Sequence, residues 1–195
     1  RVLIVVDGVR MNNAIYRSGH LQNSITIDPS NIERAEIIFG SSSVGYGSDA
    51  MGGVIHYYTK NPILKNSKNI SSSFTSNFNS ANNSLSSNFN TNYSSDNWGS
   101  ITSISISKYG DIKMGKNRNH GYSNWGLTPI FSKNSRYKFY AEPSINLDDN
   151  IQKNTGYSQV DLFQKFLFKL VGDNLLNLNI QFSESSDIDR YDQLS

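Results

Sequence analysis

The stretch Leu176-Asn177-Leu178-Asn179-Ile180-Gln181-Phe182-Ser183 alternates strictly between apolar and uncharged polar side chains. Successive side chains of a β-strand point to opposite faces, so this alternation predicts a strand with one apolar and one polar face. Three other segments, near 70–80, 84–94 and 160–170, follow the same pattern, and a fifth strand is predicted near 98–109. The second half of the chain is therefore predicted to be antiparallel β-structure.

The composition explains what the polar faces are made of. Only 36% of the 195 residues are hydrophobic and 17% are charged, while Ser and Asn number 31 and 25. An aromatic content of 12% argues against disorder, because disordered chains are poor in aromatic residues. Strands of about ten residues with an apolar and a polar face are what a transmembrane β-barrel with a wet interior requires. A soluble β-sandwich with one solvated face also alternates and stays open as an alternative.

The predicted connections between the strands differ greatly in length. Short turns are predicted at Ala81-Asn82, Ser95-Asp96-Asn97 and Gly172-Asp173-Asn174, whereas a long polar excursion covers about 111–158. Outer-membrane barrels have short periplasmic turns and longer extracellular loops, so the excursion is expected to face outward. Aromatic residues near strand ends could form an interfacial girdle: Tyr93, Trp98 and Tyr109.

Charge and motif content exclude several classes of function. A net charge of +2 excludes binding to nucleic acid by phosphate neutralisation, and the lack of cysteine excludes disulfide scaffolds and thiolate zinc sites. No G-x-S-x-G or H-E-x-x-H motif is present, so no enzymatic activity is predicted. Residues 45–50 match G-x-G-x-x-A, but no strand directly precedes them and no acid follows at the required distance. The acidic residues at 187–192 lack the spacing of a calcium loop and are interpreted as an acidic outward loop.

The first 62 residues follow a different pattern, with dense apolar strands and many glycines. Val2 to Val6 is predicted to be a strand, Asp28 to Arg34 the start of a helix, and Ala35 to Phe39 a second strand. A Ser/Gly loop over 40–53 leads into a third strand, Val54 to Thr59. This order predicts a small α+β unit in front of the alternating strands.

Three sequence blocks of this first half carry a family resemblance: Asp7-Gly8-Val9-Arg10, Ile32-Glu33-Arg34-Ala35-Glu36-Ile37-Ile38-Phe39-Gly40 and Tyr46-Gly47-Ser48-Asp49-Ala50-Met51-Gly52-Gly53-Val54-Ile55. In this order and spacing they resemble the plug of TonB-dependent outer-membrane receptors. The stretches 156–168 and 185–191 are similar to the early barrel of the haem and haemoglobin receptor branch of that family.

The resemblance implies a large barrel with a plugged lumen in the outer membrane of a Gram-negative bacterium. Residues 1–62 would be the C-terminal part of the plug, and 63–195 the first barrel strands, with a long extracellular loop near 111–158. The chain is thus expected to be a fragment that does not fold alone. The implied activity is energy-coupled import of a scarce nutrient, and the implied partners are outer-membrane lipid and the TonB energy-coupling complex, reached through a segment outside this sequence.

The resemblance also assigns roles to residues of the plug. Family members lock plug to barrel through charged residues, which correspond here to Arg10, Glu33, Arg34 and Glu36. An exposed charge cluster on a small domain is the alternative for them. Tight turns that bring the backbone close to its neighbours are predicted at four glycines: Gly40, Gly47, Gly52 and Gly53.

The histidines bear on the transported ligand. The sequence Arg17-Ser18-Gly19-His20-Leu21 resembles haem receptors in which a plug histidine is an axial ligand of the haem iron, and a structural role for His20 remains open. His56 is expected to be a hydrogen-bonded plug residue and His120 a solvated loop residue. No intrinsic cofactor or further metal site is expected. Haem, free or taken from a haem protein, is the leading ligand, followed by an iron–siderophore chelate and then by cobalamin or a glycan.

Overall fold

A computed structural model describes residues 2–11, 27–47, 50, 52–118, 121–133, 138, 140 and 142–187. The chain divides into two compact units. The first comprises Arg1–Thr75, Asn88–Ser105 and Asp161–Glu184, and the second Ser76–Ser87, Ile106–Val160 and Ser185–Ser195. The predicted boundary between the two halves at residue 62 stays a prediction.

The first half contains a four-stranded sheet, called here the small sheet. Its strands are β1 (Leu3–Val6), β2 (Val9–Arg10), β3 (Ile32–Ile38) and β4 (Val54–Thr59), in the order β2-β1-β4-β3. β1 and β4 are parallel neighbours, and the other two pairs are antiparallel. Both faces of β1 are buried, so its side chains build two apolar clusters: Leu3 and Val5 with Ala50 and Val54, and Ile4 and Val6 with Ile27. The continuous apolar run of β1 is explained by this burial on both sides.

The helix predicted to start over Asp28 to Arg34 is wrong beyond its first turn. Asp28 does act as a cap and accepts a hydrogen bond from the Ser30 amide, but only one 3₁₀ turn, Pro29–Asn31, follows. The chain then enters β3 at Ile32, earlier than the predicted strand start at Ala35. Pairing of β3 with β4 over most of its length outweighs the local helix-start signal. The predicted loop over 40–53 also contains a 3₁₀ segment, Gly40–Tyr46.

The second half forms a five-stranded sheet, called here the large sheet. Its order is β13-β12-β7-β6-β5, and its strands are β5 (Asn69–Asn79), β6 (Ser84–Ser94), β7 (Trp98–Tyr109), β12 (Tyr157–Lys169) and β13 (Leu175–Ser185). Hydrogen bonds join Ser72 to Thr91 and Ser76 to Ser87, so β5 and β6 run antiparallel. All five predicted strands are therefore confirmed, with bounds close to those expected. The mostly β fold class is confirmed as well.

In its strands β7 and β12, the large sheet has faces that are reversed relative to those of a soluble sheet. In β7 the serines Ser103, Ser105 and Ser107 are buried, whereas Ile104 and Ile106 are 43% and 61% exposed. β12 repeats this arrangement, with Gln159, Asp161 and Lys165 buried and Val160 and Leu162 exposed. The polar face is the covered one in these two strands. In β5 and β13 nearly all residues of both faces are exposed, including the four apolar residues of the alternating β13 stretch: Leu176, Leu178, Ile180 and Phe182.

Aromatic side chains gather at both ends of β7. Trp98, its first residue, lies 4.4 Å from Tyr93 and 6.3 Å from Phe168, measured between ring centroids. Tyr109, its last residue, lies 4.6 Å from Tyr157. The aromatic residues expected at strand ends therefore form one cluster at each end of β7, and an aromatic girdle there stays a prediction.

The long excursion between β7 and β12 has structure of its own. It contains β8 (Ile112–Lys113), β9 (Ile130–Phe131), β10 (Ser144–Ile145) and β11 (Ile151–Gln152), which pair antiparallel as β8 with β11 and β9 with β10. Buried Asn146 donates from its side chain to the carbonyl oxygens of Thr128 and Ile151, both at 2.8 Å, and so joins the two pairs. In the part of the chain described above, no helix is both long and apolar enough to cross a membrane.

Candidate functional site

The first contact between the small sheet and the large sheet centres on Asp7 and Lys165. Asp7 follows β1, and its carboxylate accepts a hydrogen bond from Lys165 Nζ at 3.0 Å. Lys165 lies on the polar face of β12, its side chain is only 3% exposed, and Nζ also donates to Thr59 Oγ1 at 2.9 Å. Asn179 Nδ2 on β13 donates to the same carboxylate oxygen at 3.0 Å. We call these four residues, Asp7, Thr59, Lys165 and Asn179, the Asp7 cluster.

The Asp7 carboxylate is held in place from several sides. The amide and the hydroxyl of Thr59 donate to its two oxygens at 2.9 and 2.5 Å. Partial burial raises the pKa of Asp7, but the hydrogen bonds from Thr59 and the positive charge of Lys165 lower it more, so the net pKa lies below its ordinary value. The carboxylate is therefore charged at neutral pH and stabilises the buried ammonium group.

A second contact lies at the turn before β3. The Asp28 carboxylate accepts from Ser30 Oγ at 2.6 Å and from the hydroxyl of Ser105 on β7. Asn88 Nδ2 on β6 lies 3.0 Å from Ser30 Oγ and 2.7 Å from the hydroxyls of Ser103 and Ser105. This contact, which we call the Asp28 cluster, contains one carboxylate and no cation.

A narrow cavity of about 20 Å³ lies between these two clusters. Its lining includes Ile27, Asn31, Asp161, Phe163 and Gln181. A space of this size holds a single water molecule and is far too small for an iron complex. Phe163, which interrupts the polar face of β12 in the sequence, is buried here beside Ile27 and so has a packing role.

His56 supports the turn that carries Asp7. It is buried in β4, its Nε2 accepts a hydrogen bond from the Gly8 amide at 3.1 Å, and its ring stacks on Tyr58 with centroids 4.1 Å apart. The Tyr46 hydroxyl lies 3.4 Å from its other nitrogen. The expected structural role of this histidine is confirmed.

The charged residues predicted to meet the barrel lie on the exposed side of the small sheet. Arg34 Nε donates to Glu36 Oε1 at 3.0 Å, and the Arg34 guanidinium lies 3.7 Å from the centre of the Tyr58 ring. The hydrogen bond from Arg34, followed by one from the Tyr58 hydroxyl, lowers the pKa of Glu36. Glu33 is exposed. Their predicted contact with barrel strands stays a prediction.

Arg10 lies beside Gly47, one of the four glycines at which a tight turn is predicted. The Arg10 guanidinium lies over Gly47, where an added Cβ would be 3.4 Å from it, and Gly47 has φ +92°. Gly53 has φ +123°, and a Cβ there would lie 3.0 Å from the Ile38 carbonyl oxygen. Gly40 also has positive φ, and Gly52 lies in the turn before β4. Close backbone approach is thus a real requirement at Gly53.

The predicted haem ligand, His20, and the loop histidine His120 both lie outside the described residues. Within the described ranges, no group of three or more His, Asp or Glu side chains could hold a metal ion.

Sequence reasoning missed the Asp7 cluster. The sequence places Asp7 only in the motif Asp7-Gly8-Val9-Arg10 and gives Lys165 no individual role. A signal was nevertheless present, because a lysine in the middle of a strand bounded by apolar residues needs a partner when it is buried. Its partner is 158 positions away in the sequence, so no local pattern could identify it.

Comparison with known proteins identifies the first part of the chain. Residues 1–54 match the family model of the TonB-dependent Receptor Plug Domain. The hemin receptor of Yersinia enterocolitica is 48% identical over 58 residues, which are 30% of this chain and 8% of that receptor. The rhizobactin receptor of Rhizobium meliloti (strain 1021) is 47% identical over 58 residues, 30% of this chain and 7% of that receptor.

Solved structures extend the similarity to nearly the whole chain. The siderophore receptor PirA from Acinetobacter baumannii matches with a TM-score of 0.57 and 18% identity, covering 94% of this chain and 24% of that structure. This likeness shows a shared fold. The chain thus spans about a quarter of that solved receptor. All of these similar proteins are named as receptors.

Proposed function

We propose that this chain, whose residues 1–54 are a TonB-dependent receptor plug domain, belongs to an outer-membrane receptor that imports an iron complex into a Gram-negative bacterium. The small sheet would be the rear part of the plug, and the large sheet would be part of the barrel wall. The reversed faces of the large sheet are the observation that carries this proposal.

The reversed faces favour a membrane barrel on physical grounds. A soluble β-sandwich buries the apolar face of each strand and exposes the polar one. In β7 and β12 the serines, Asp161 and Lys165 are covered while isoleucine, valine and leucine are exposed. Exposed apolar strand faces are stable where lipid contacts them, and the polar faces then line an interior that is filled here by the small sheet. The alternative of a soluble sandwich is disfavoured for the same reason.

Haem is the leading substrate of the proposed receptor. Its support is the similarity of the first part of the chain to the hemin receptor and the Gly-His-Leu sequence at His20, which would supply one axial imidazole to the iron. An iron–siderophore chelate is the second candidate, because the rhizobactin receptor is almost equally similar over the same length.

Transport would follow from movement of the plug. The proposed partners are the TonB energy-coupling complex, which would pull on the plug, and the outer-membrane lipid around the barrel. The cavity between the Asp7 and Asp28 clusters is far smaller than any iron complex, so an iron complex could pass at this point only if the plug rearranges.

The test is a hemin titration of the receptor that carries this chain, purified in detergent and followed by visible absorbance. A saturable Soret shift in the unaltered receptor, weakened in His20→Ala and unchanged in His120→Ala, is the expected result. The His120 variant is the matched control because it also removes one imidazole from the chain.

A parallel titration with a ferric siderophore separates the two substrates. Saturable binding of the siderophore without a Soret shift would replace haem by the siderophore. Absence of binding in both titrations would contradict the proposed iron import.

A further inference from the structure

Lys165 is a buried cation whose partners lie on the other sheet. Its Nζ donates to Asp7 and Thr59, which follow β1 and end β4, respectively. β1 and β4 are the two central strands of the small sheet and run parallel, so both are held at the same end. Asn179 on the neighbouring β13 reinforces the contact. A single cluster therefore ties the two central strands of the small sheet to two strands of the large sheet.

The backbone at Asp7 is shaped to present its carboxylate. Asp7 has φ +47° and Gly8 has φ +85°, and the Gly8 amide is held by buried His56. Left-handed backbone is costly for residues other than Gly, Asn and Asp. Asp7 and Gly8 belong to the residue types that adopt this backbone readily, so the turn places the carboxylate against Thr59 and Lys165 at little conformational cost.

The two contacts between the sheets differ in their resistance to separation. In the Asp28 cluster the donors are hydroxyl and amide groups, which can exchange their partner for water at small net cost. In the Asp7 cluster, separation would break an ion pair shielded from water, whose charge-assisted hydrogen bonds are about twice as strong as those between neutral groups. When the small sheet is pulled, the Asp28 cluster should separate first.

We propose that Lys165 is the anchor on the barrel wall that keeps the β1–β4 pair seated on β12 and β13 while other parts of the plug move during transport. This inference rests on the proposed function, since it needs a plug that is pulled. Lys165 acts through Asp7 and Thr59 and is a positioning residue, because it holds the plug and contacts no ligand in this role.

The test uses the full receptor in cells and compares Lys165→Met, Asp7→Asn and Lys165→Arg with the unaltered protein. Two readouts are taken: uptake of the iron complex, and entry of a bulky antibiotic that the outer membrane normally excludes. Each is measured with and without a functional energy-coupling complex. Asp7→Asn keeps the shape of the side chain and a residue type that accepts positive φ, so it reports on the charge even if Lys165→Met folds poorly.

The expected result is antibiotic entry that rises about tenfold or more in Lys165→Met and Asp7→Asn, only when energy coupling and ligand are both present. Lys165→Arg should retain exclusion because it keeps the charge. Lys169→Met is the matched control, an exposed lysine on the same strand, and should behave like the unaltered receptor.

Three outcomes would contradict the proposed role of Lys165 as an anchor. If cells with Lys165→Met and cells with Asp7→Asn both exclude the antibiotic normally, the pair does not retain the plug. If antibiotic entry in these variants is equally high without energy coupling, Lys165 contributes only to the static packing of the plug. If the unaltered receptor neither binds nor imports an iron complex, the proposed function fails first, and the anchor fails with it.

Discussion

At the residue scale, the most informative group is the buried ammonium group of Lys165. Lysine is rarely buried, because removing its ammonium group from water costs several kcal/mol unless a partner compensates. Lys165 meets this requirement with a carboxylate that four donors stabilise: the Thr59 amide and hydroxyl, Lys165 itself and Asn179. The ends of β1 and β4, where Asp7 and Thr59 lie, are therefore positioned by electrostatics as well as by packing.

The pH dependence of stability should report on Asp7. Its folded pKa lies below the unfolded value of about 3.9, so its contribution to stability is complete above about pH 4 and is lost as pH falls through the folded pKa. Thermal unfolding of the receptor and of Asp7→Asn should therefore differ by a constant amount from pH 7 to about 5, and the difference should shrink below about pH 4. A difference that grows on acidification would contradict this assignment.

The cap at Asp28 gives a second prediction at this scale. Asp28→Ala removes acceptors for the Ser30 amide and for the hydroxyls of Ser30 and Ser105, at an expected cost of about 1–2 kcal/mol. Hydrogen exchange of the amides of Ile32–Ile38 should speed up in this variant. Asp173→Ala, at an exposed turn aspartate, is the control and should leave the exchange rates of β3 unchanged.

At the element scale, strand pairing overrides a local signal. Asp28-Pro29 is a good helix start, and the cap does form, yet β3 begins only four residues after Asp28. The five alternating strands were predicted well because each carries its own two-faced pattern, which needs no knowledge of the partner strand. The plug helix was over-predicted because pairing with β4 cannot be deduced from residues 28–34.

The glycines of the small sheet can be tested individually. Gly53→Ala should destabilise the fold by about 1–3 kcal/mol, because φ is +123° and the new Cβ would lie 3.0 Å from the Ile38 carbonyl oxygen. Gly45→Ala is the matched control, since a Cβ there would meet nothing within 4 Å. Thermal unfolding of the two variants should rank Gly53→Ala clearly below Gly45→Ala, and equal midpoints would refute the steric argument.

The strand faces of β13 give a prediction about which face contacts lipid. Ile180 is in the middle of the strand, so Ile180→Arg on a lipid-facing side should cost about 2–4 kcal/mol and impair assembly. Asn177→Arg, on the polar face, should be tolerated. Heat-modifiable gel migration measures assembled barrel in both variants. Full assembly of Ile180→Arg would contradict contact between this face and lipid.

At the scale of the whole molecule, the arrangement is a small sheet whose charged and polar ends meet the covered polar face of a larger sheet. Buried serines on β7 provide hydrogen-bonding groups without adding charge. An interface made largely of hydroxyl and amide groups can separate into water at modest cost. Such an interface would suit the plug movement proposed above, with the Asp7 cluster as its charged contact.

The sequence by itself determined the strands, their two faces, the short turns and the family of the first 54 residues, because each of these depends on residues close together in the chain. Only the tertiary structure revealed that the polar faces of β7 and β12 are covered, that β3 replaces a helix, and that Asp7 and Lys165 form a pair. These features depend on partners as far apart as 158 positions, and burial or charge pairing at such separation leaves no periodicity to detect.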